Sequence, residues 1–198
     1  MTPARSISIY TCRVTTLLAI AGSARTGSYN QMLLRAAVAV APAGTTVETA
    51  SIQDIPLYNG DVEAHGVPPA VQALKDQIAG AAGVLLVTPE YNNSLPGVFK
   101  NAIDWTSRPA ADIARVYGGK PIGVIGATPG AGGTNLAQAA WLPVLRALGT
   151  LPFFGARVQV AHARKVFDEH GALVDAAVRG QLEKYMAAFV EFVARHAR

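Results

Sequence analysis

Cysteine is nearly missing from this sequence: Cys12 is the only one in 198 residues. That excludes an intrachain disulfide and a thiolate cluster for structural zinc, and it suits a reducing cytoplasm. The four histidines, His65, His162, His170 and His196, show no ligand spacing, so no metal site is expected and all four read as surface or structural residues. Charge is also scarce. Asp, Glu, Lys and Arg supply 15% of the residues, against roughly 25% in ordinary soluble domains, which points to surface covered by other subunits. The net charge of +4 is not gathered into a basic run, so no nucleic-acid partner is expected and anionic small molecules are. No apolar segment approaches the roughly 20 residues of a membrane span, and no membrane partner is expected.

What is present is an alternation of short apolar runs and helical patterns. Arg5 and Arg13 ahead of the run Val14 to Ala21, with Gly22, Ser23 and Ala24 behind it, imitate a signal peptide. The same run makes a good first strand, and cleavage would destroy the loop after it. Residues 1–13 are therefore read as an N-terminal extension and 14–198 as one domain, a length ample for a large core.

The run at 14–21 is continuous, aliphatic and β-branched, as in a strand buried on both faces. Ser28 or Asn30 can cap the helix that follows, whose Leu33, Leu34, Ala37, Val38 and Val40 recur at helical spacing until Pro42 and Gly44. A second strand is predicted at 46–52, then a polar loop through Asp61 to Pro69, a helix at about 70–80 and a third strand at 83–88. Ser94 is expected to cap a helix opened by Pro96, with Val98, Phe99, Ala102, Ile103 and Trp105 on its apolar face. The fourth strand is placed at 121–127, a helix at about 134–148, a fifth strand at 151–160 and a last helix at about 174–195. Alternating strands and helices imply parallel pairing with right-handed crossovers, hence an α/β doubly wound three-layer sandwich. Ligands of such sheets lie outside the carboxyl ends of the strands where strand order reverses.

Three loops therefore matter. The first, Gly22 to Asn30, offers small-residue N–H groups, the hydroxyls of Ser23 and Ser28 and the charge of Arg25, at a helix N-terminus that favours a phosphate. Its plainer reading is an ordinary strand-to-helix turn with an exposed arginine. The third-strand loop, Thr88 to Gly97, is stiffened by two prolines, and the amides of Asn92 and Asn93 can read the polar edge of a planar ring while Tyr91 covers a face or packs between subunits. Without a ligand it is a rigid polar turn. The glycine-rich stretch Ala127 to Thr134 is no Walker loop, because its lysine slot holds Gly133, and no dinucleotide fingerprint follows the first strand.

GSARTGSYN, followed some way on by TPEYNNSLPGVFKNAIDWTSRP, resembles the NADPH-dependent FMN reductase family, in particular its chromate and quinone reductase branch. The resemblance implies a flavodoxin-like fold with a five-stranded parallel sheet, noncovalent FMN, and a homodimer or homotetramer. It also implies that hydride from NADPH or NADH passes by way of the flavin to a quinone, chromate, azo or free-flavin acceptor. By the same resemblance Ser23, Arg25, Ser28, Asn30 and Gln31 would hold the phosphate, Pro89, Glu90, Tyr91, Asn92 and Asn93 would border the isoalloxazine, and Thr128, Gly130, Gly132 and Gly133 would close the other side. Close relatives often carry a serine-rich turn where Ala127 to Ala131 stand here. No side chain need act as nucleophile or base; Glu90 is a catalytic acid, an exposed loop carboxylate or an interface partner. Two rivals are a flavodoxin-type electron carrier, which the +4 charge opposes, and a flavin reductase that releases reduced FMN to a monooxygenase.

Overall fold

The structure is a computed structural model that describes residues 15–196; the N-terminal extension with Cys12, and Val14 of the expected first strand, lie outside the described residues. The element order is β1 (Thr15–Ala21), α1 (Tyr29–Ala39), β2 (Thr45–Ala50), α2 (Gly60–Ala64), α3 (Pro69–Gly80), β3 (Gly83–Val87), α4 (Gly97–Thr106), α5 (Ile113–Val116), β4 (Pro121–Ala127), α6 (Asn135–Ala147), β5 (Leu151–Pro152), β6 (Gln159–Val160), α7 (Ala163–Val166) and α8 (Ala176–His196). All strand pairings are parallel, in the order β2-β1-β3-β4-β5, with β6 also on β4. The order reverses between β1 and β3, which makes their carboxyl ends the crevice of the sheet.

Alternation along the strands feeds two cores. Leu17, Ala19 and Ala21 of β1 join Leu33 of α1 and Leu182, Tyr185, Met186 and Phe189 of α8 on one face. Leu18 and Ile20 join Leu74 and Ile78 of α3, Phe99 and Ile103 of α4, and Trp141 of α6 on the other. Two glycines permit the closest approaches. A Cβ on Gly22 would lie 2.1 Å from the Phe99 ring, and one on Gly126 would lie 2.2 Å from the Thr88 carbonyl oxygen.

Three expectations need correction. The fifth strand is not continuous: β4 advances four residues between its pairings at Ile122 and Gly126, while the edge chain runs seven from Pro152 to Gln159. The surplus loops out because Phe153 turns inward onto Tyr185, Phe189 and Phe192, leaving Phe154 exposed. The polar stretch after β2 contains α2, capped by the Asn59 side chain. Ser94 is not a helix cap; Pro96 occupies that position without a side-chain cap bond, and Ser94 closes a tight turn with Tyr91 instead.

One buried charge organises the opposite end of the sheet. Lys75 of α3 is 1% exposed and places its ammonium 2.7 Å from Asp112, which Arg115 also grips, and it donates to the Arg108 carbonyl. These partners, Arg115 first and Lys75 second, hold the Asp112 carboxyl well below the usual carboxylate range.

Candidate active site

The loops after β1, β3 and β4, joined by α7, enclose a cavity of about 350 Å³ at the carboxyl ends of the strands. Ser28 is the N-cap of α1, its Oγ accepting the Asn30 N–H at 3.2 Å. Because that oxygen acts as acceptor to the chain, its hydroxyl proton is left to give to a ligand. Ser23 is arranged the same way, its Oγ accepting from Arg25 N at 3.4 Å. Arg25 extends over the Tyr29 ring, with 5.9 Å from guanidinium carbon to ring centroid. Gln53 Nε2 donates to the Ala24 carbonyl and Gln31 Nε2 to the Ser23 carbonyl, which braces the loop from outside the cavity.

Asn30 lies on the cavity floor, 3% exposed, with both halves of its amide engaged. Nδ2 donates to the Ala127 carbonyl at 2.9 Å, and Oδ1 accepts the Ala127 N–H at 2.9 Å. The last pairing of β3 with β4 is Val87 with Ile125, so beyond it the Asn30 amide supplies the hydrogen bonds a neighbouring strand would have made.

In the third-strand loop Tyr91 and Ser94 exchange backbone hydrogen bonds at 3.0 Å each way. Asn92 and Asn93 lie between them with φ of 50° and 61°, the left-handed region that a two-residue turn requires and that Asn tolerates. Glu90 reaches across to α6, where its Oε2 accepts the Ala137 N–H at 2.9 Å. A carboxylate on that first-turn donor caps the helix and complements its dipole, so Glu90 ties this loop to α6.

Of the residues singled out from the sequence, Ser23, Arg25, Ser28, Asn30, Pro89, Glu90, Tyr91 and Thr128 line the cavity. Gln31 sits behind the first loop, and Asn92 and Asn93 form the exposed tip of their turn. Gly130 directs its carbonyl to the His162 N–H, Gly132 is exposed, and Gly133, at φ +63°, packs against Gln159 of β6. None of these six lines the cavity. Tyr29, Ala127, Pro129 and Arg164 do. Tyr29 stands inside the first motif, and Arg164 belongs to a basic segment after the fifth strand, whose carboxyl end falls on the same edge as the fourth. All four histidines are exposed. Among the described residues no group of three His, Cys, Asp or Glu could hold a metal ion, and no helix is long and apolar enough to cross a membrane.

The sequence pattern of the NADPH-dependent FMN reductase family matches residues 15–165. The chain belongs to that family. It is an FMN-dependent oxidoreductase that draws on a nicotinamide nucleotide. It is 41% identical over 179 residues to an NAD(P)H-dependent FMN reductase of Pseudomonas aeruginosa, covering 90% of this chain and 95% of that one. It is 39% identical over 191 residues to a quinone reductase of Escherichia coli, covering 92% and 96%. Among solved structures it is similar to a flavoenzyme NAD(P)H:(acceptor) oxidoreductase of Paracoccus denitrificans, with a TM-score of 0.84, 34% identity, and 93% and 100% of the two chains covered. The β-strand order seen here is the flavodoxin-like one. The donor set fits the cofactor: hydroxyls, a guanidinium and a helix N-terminus for an ester phosphate at one end, and Pro89, Glu90 and Tyr91 as a stiff rim at the other.

Proposed function

We propose that this chain is a quinone reductase in which Arg25, with the hydroxyls of Ser23 and Ser28, holds the FMN phosphate and the rim from Pro89 to Tyr91 borders the flavin ring. The observation that carries the reading is the first loop itself, where two hydroxyls and a guanidinium line one cavity at the start of α1. Bound FMN supplies the two-electron redox chemistry. The protein contributes position and charge: the floor fixed by Asn30 and Ala127 and the rim fixed by Glu90 and Ala137 keep the donors in place before a ligand arrives. Quinones are favoured as acceptors by the named activity of the Escherichia coli relative, with chromate, azo dyes and free flavin as the comparison set. Dependence on a nicotinamide nucleotide fits a cytoplasmic setting.

A second copy of the chain is the expected partner. The 51–59 segment is pinned to α4 by Asn101 Nδ2 and Trp105 Nε1, both donating to the Pro56 carbonyl. It presents Leu57, 82% exposed, near α4, whose Val98 is exposed as well, an apolar pairing suited to self-association. Steady-state NADPH and NADH oxidation with benzoquinone, chromate, an azo dye and excess free FMN tests the function. Turnover greatest with the quinone, and FMN retained through gel filtration, is the expected result. Turnover only with added FMN would mean that the chain is a flavin reductase, and oxidation of neither nucleotide would leave an electron carrier.

A further inference from the structure

Among the described residues Arg164 is the one that lines the cavity from the far end of the fold. It stands on α7, just after β6, and α7 hangs from the loop after β4. The His162 N–H donates to the Gly130 carbonyl at 2.9 Å, and the Ala163 N–H donates to the Thr128 carbonyl at 3.0 Å. His162 makes this turn at φ 49°, a left-handed conformation unfavourable for a residue with a Cβ. The consequence of that turn is that Arg164 lines the same cavity as Arg25, Ser23 and Ser28.

Among the described residues neither Arg164 nor Arg25 forms an ion pair. Of the described residues one carboxylate, Glu90, lines the cavity, and it is held by the Ala137 N–H of α6. Guanidinium groups stay protonated at any pH the fold survives, so among the described residues the cavity lining sets two permanent cations against one carboxylate, which pairs with neither. A phosphate monoester carries about −1.5 to −2 at neutral pH and balances such a pair, whereas the uncharged ribityl chain and flavin ring do not.

We infer that Arg164 is a second guanidinium of the phosphate site, gripping the FMN ester opposite Arg25. The inference rests on the reading that the first loop holds that ester. It makes the site discriminate FMN from riboflavin through two separate segments, so that the cofactor's phosphate joins the chain following the fifth strand to the loop following the first.

The test is a fluorescence titration of full-length apoprotein with FMN and with riboflavin, for the wild type, Arg164→Gln, Arg164→Lys and Arg25→Gln. Arg164→Gln should weaken FMN binding by about ten- to one-hundred-fold, the worth of a charged hydrogen bond, and leave riboflavin binding nearly unchanged, which also reports that the variant is folded. Arg164→Lys should recover part of the loss, since a lysine keeps the charge without the fork. If Arg25→Gln lowers the preference for FMN over riboflavin and Arg164→Gln does not, the role of Arg164 is refuted and the phosphate site stands. If neither variant changes that preference, the phosphate site itself is misplaced. If Arg164→Gln spares FMN but raises KM for NADPH and not for NADH, the guanidinium serves the phosphate of the nucleotide, and the inference is overturned.

Discussion

Replacing Asn30 by leucine separates a structural role from a ligand role at one position. Leucine has nearly the shape of asparagine but can neither donate to the Ala127 carbonyl nor accept its N–H, and both bonds are 2.9 Å long in a site where Asn30 is 3% and Ala127 1% exposed. Each buried backbone group left without a partner costs about 1 to 3 kcal/mol. The two together make Asn30→Leu destabilising by about 2 to 6 kcal/mol, a large part of a typical domain's stability. The assay is urea unfolding of the apoprotein followed by circular dichroism, where the midpoint should fall with the slope unchanged. FMN affinity should fall too, but as a consequence, because the floor beneath Ser28 and Thr128 loosens. A variant whose apoprotein is as stable as wild type, yet binds FMN far more weakly, would refute the reasoning and make Asn30 a direct phosphate ligand.

Asp112→Asn should destabilise by about 3 kcal/mol in urea unfolding, because Lys75 stays buried after losing its carboxylate; Lys75→Met should cost less, since Asp112 keeps Arg115. The folded-state depression of the Asp112 carboxyl by Arg115 and Lys75 contributes stability above the unfolded value near pH 4 and loses it as pH falls through the lower folded value. Wild type should therefore lose stability below about pH 4 more steeply than Asp112→Asn, and equal slopes would contradict the assignment. Glu90→Ala should lower stability by about 1 kcal/mol through loss of the α6 cap, and Glu90→Gln, which retains an acceptor, should preserve turnover; abolished turnover in the glutamine variant at unchanged stability would restore Glu90 as an acid. Gly126→Ala should cost more than about 2 kcal/mol, because the added Cβ meets the backbone oxygen of Thr88 rather than a movable side chain, and a fully stable variant in thermal unfolding would show that the β3 end yields.

Much of this architecture is legible in the sequence because β1, β3 and β4 are buried on both faces and the long helices carry an apolar stripe. The continuous run at 14–21, read as a strand, becomes β1 from Thr15, and the Leu33, Leu34 and Ala37 spacing becomes the buried side of α1. What escaped was decided by tertiary partners. The one local mark of a break at 153–158 is Gly155, whose missing Cβ leaves room for the Phe153 ring, but the inward turn itself depends on Phe153 finding three aromatic rings beneath the sheet. For Asn92 and Asn93 the residue type suggests amides that read a ligand, and the structure adds that both occupy left-handed positions at the exposed tip of a tight turn. The first-loop residues Ser23, Arg25 and Ser28 were accessible because strand, turn and helix are contiguous in the chain. Arg164 was not, since parallel order, and not sequence distance, brings the end of the fifth strand to the same edge.

The interruption of the outer strand also bears on how this chain avoids its own kind. β5 and β6 contribute two residues each, separated by a bulge, so this margin of the sheet offers no long row of free amides onto which another molecule could add its own strand in register. The aromatic anchor that breaks the strand thus guards against fibril-like stacking during folding, when such margins are most exposed, and a substitution such as Phe153→Val that let the margin straighten should surface first as aggregation on refolding.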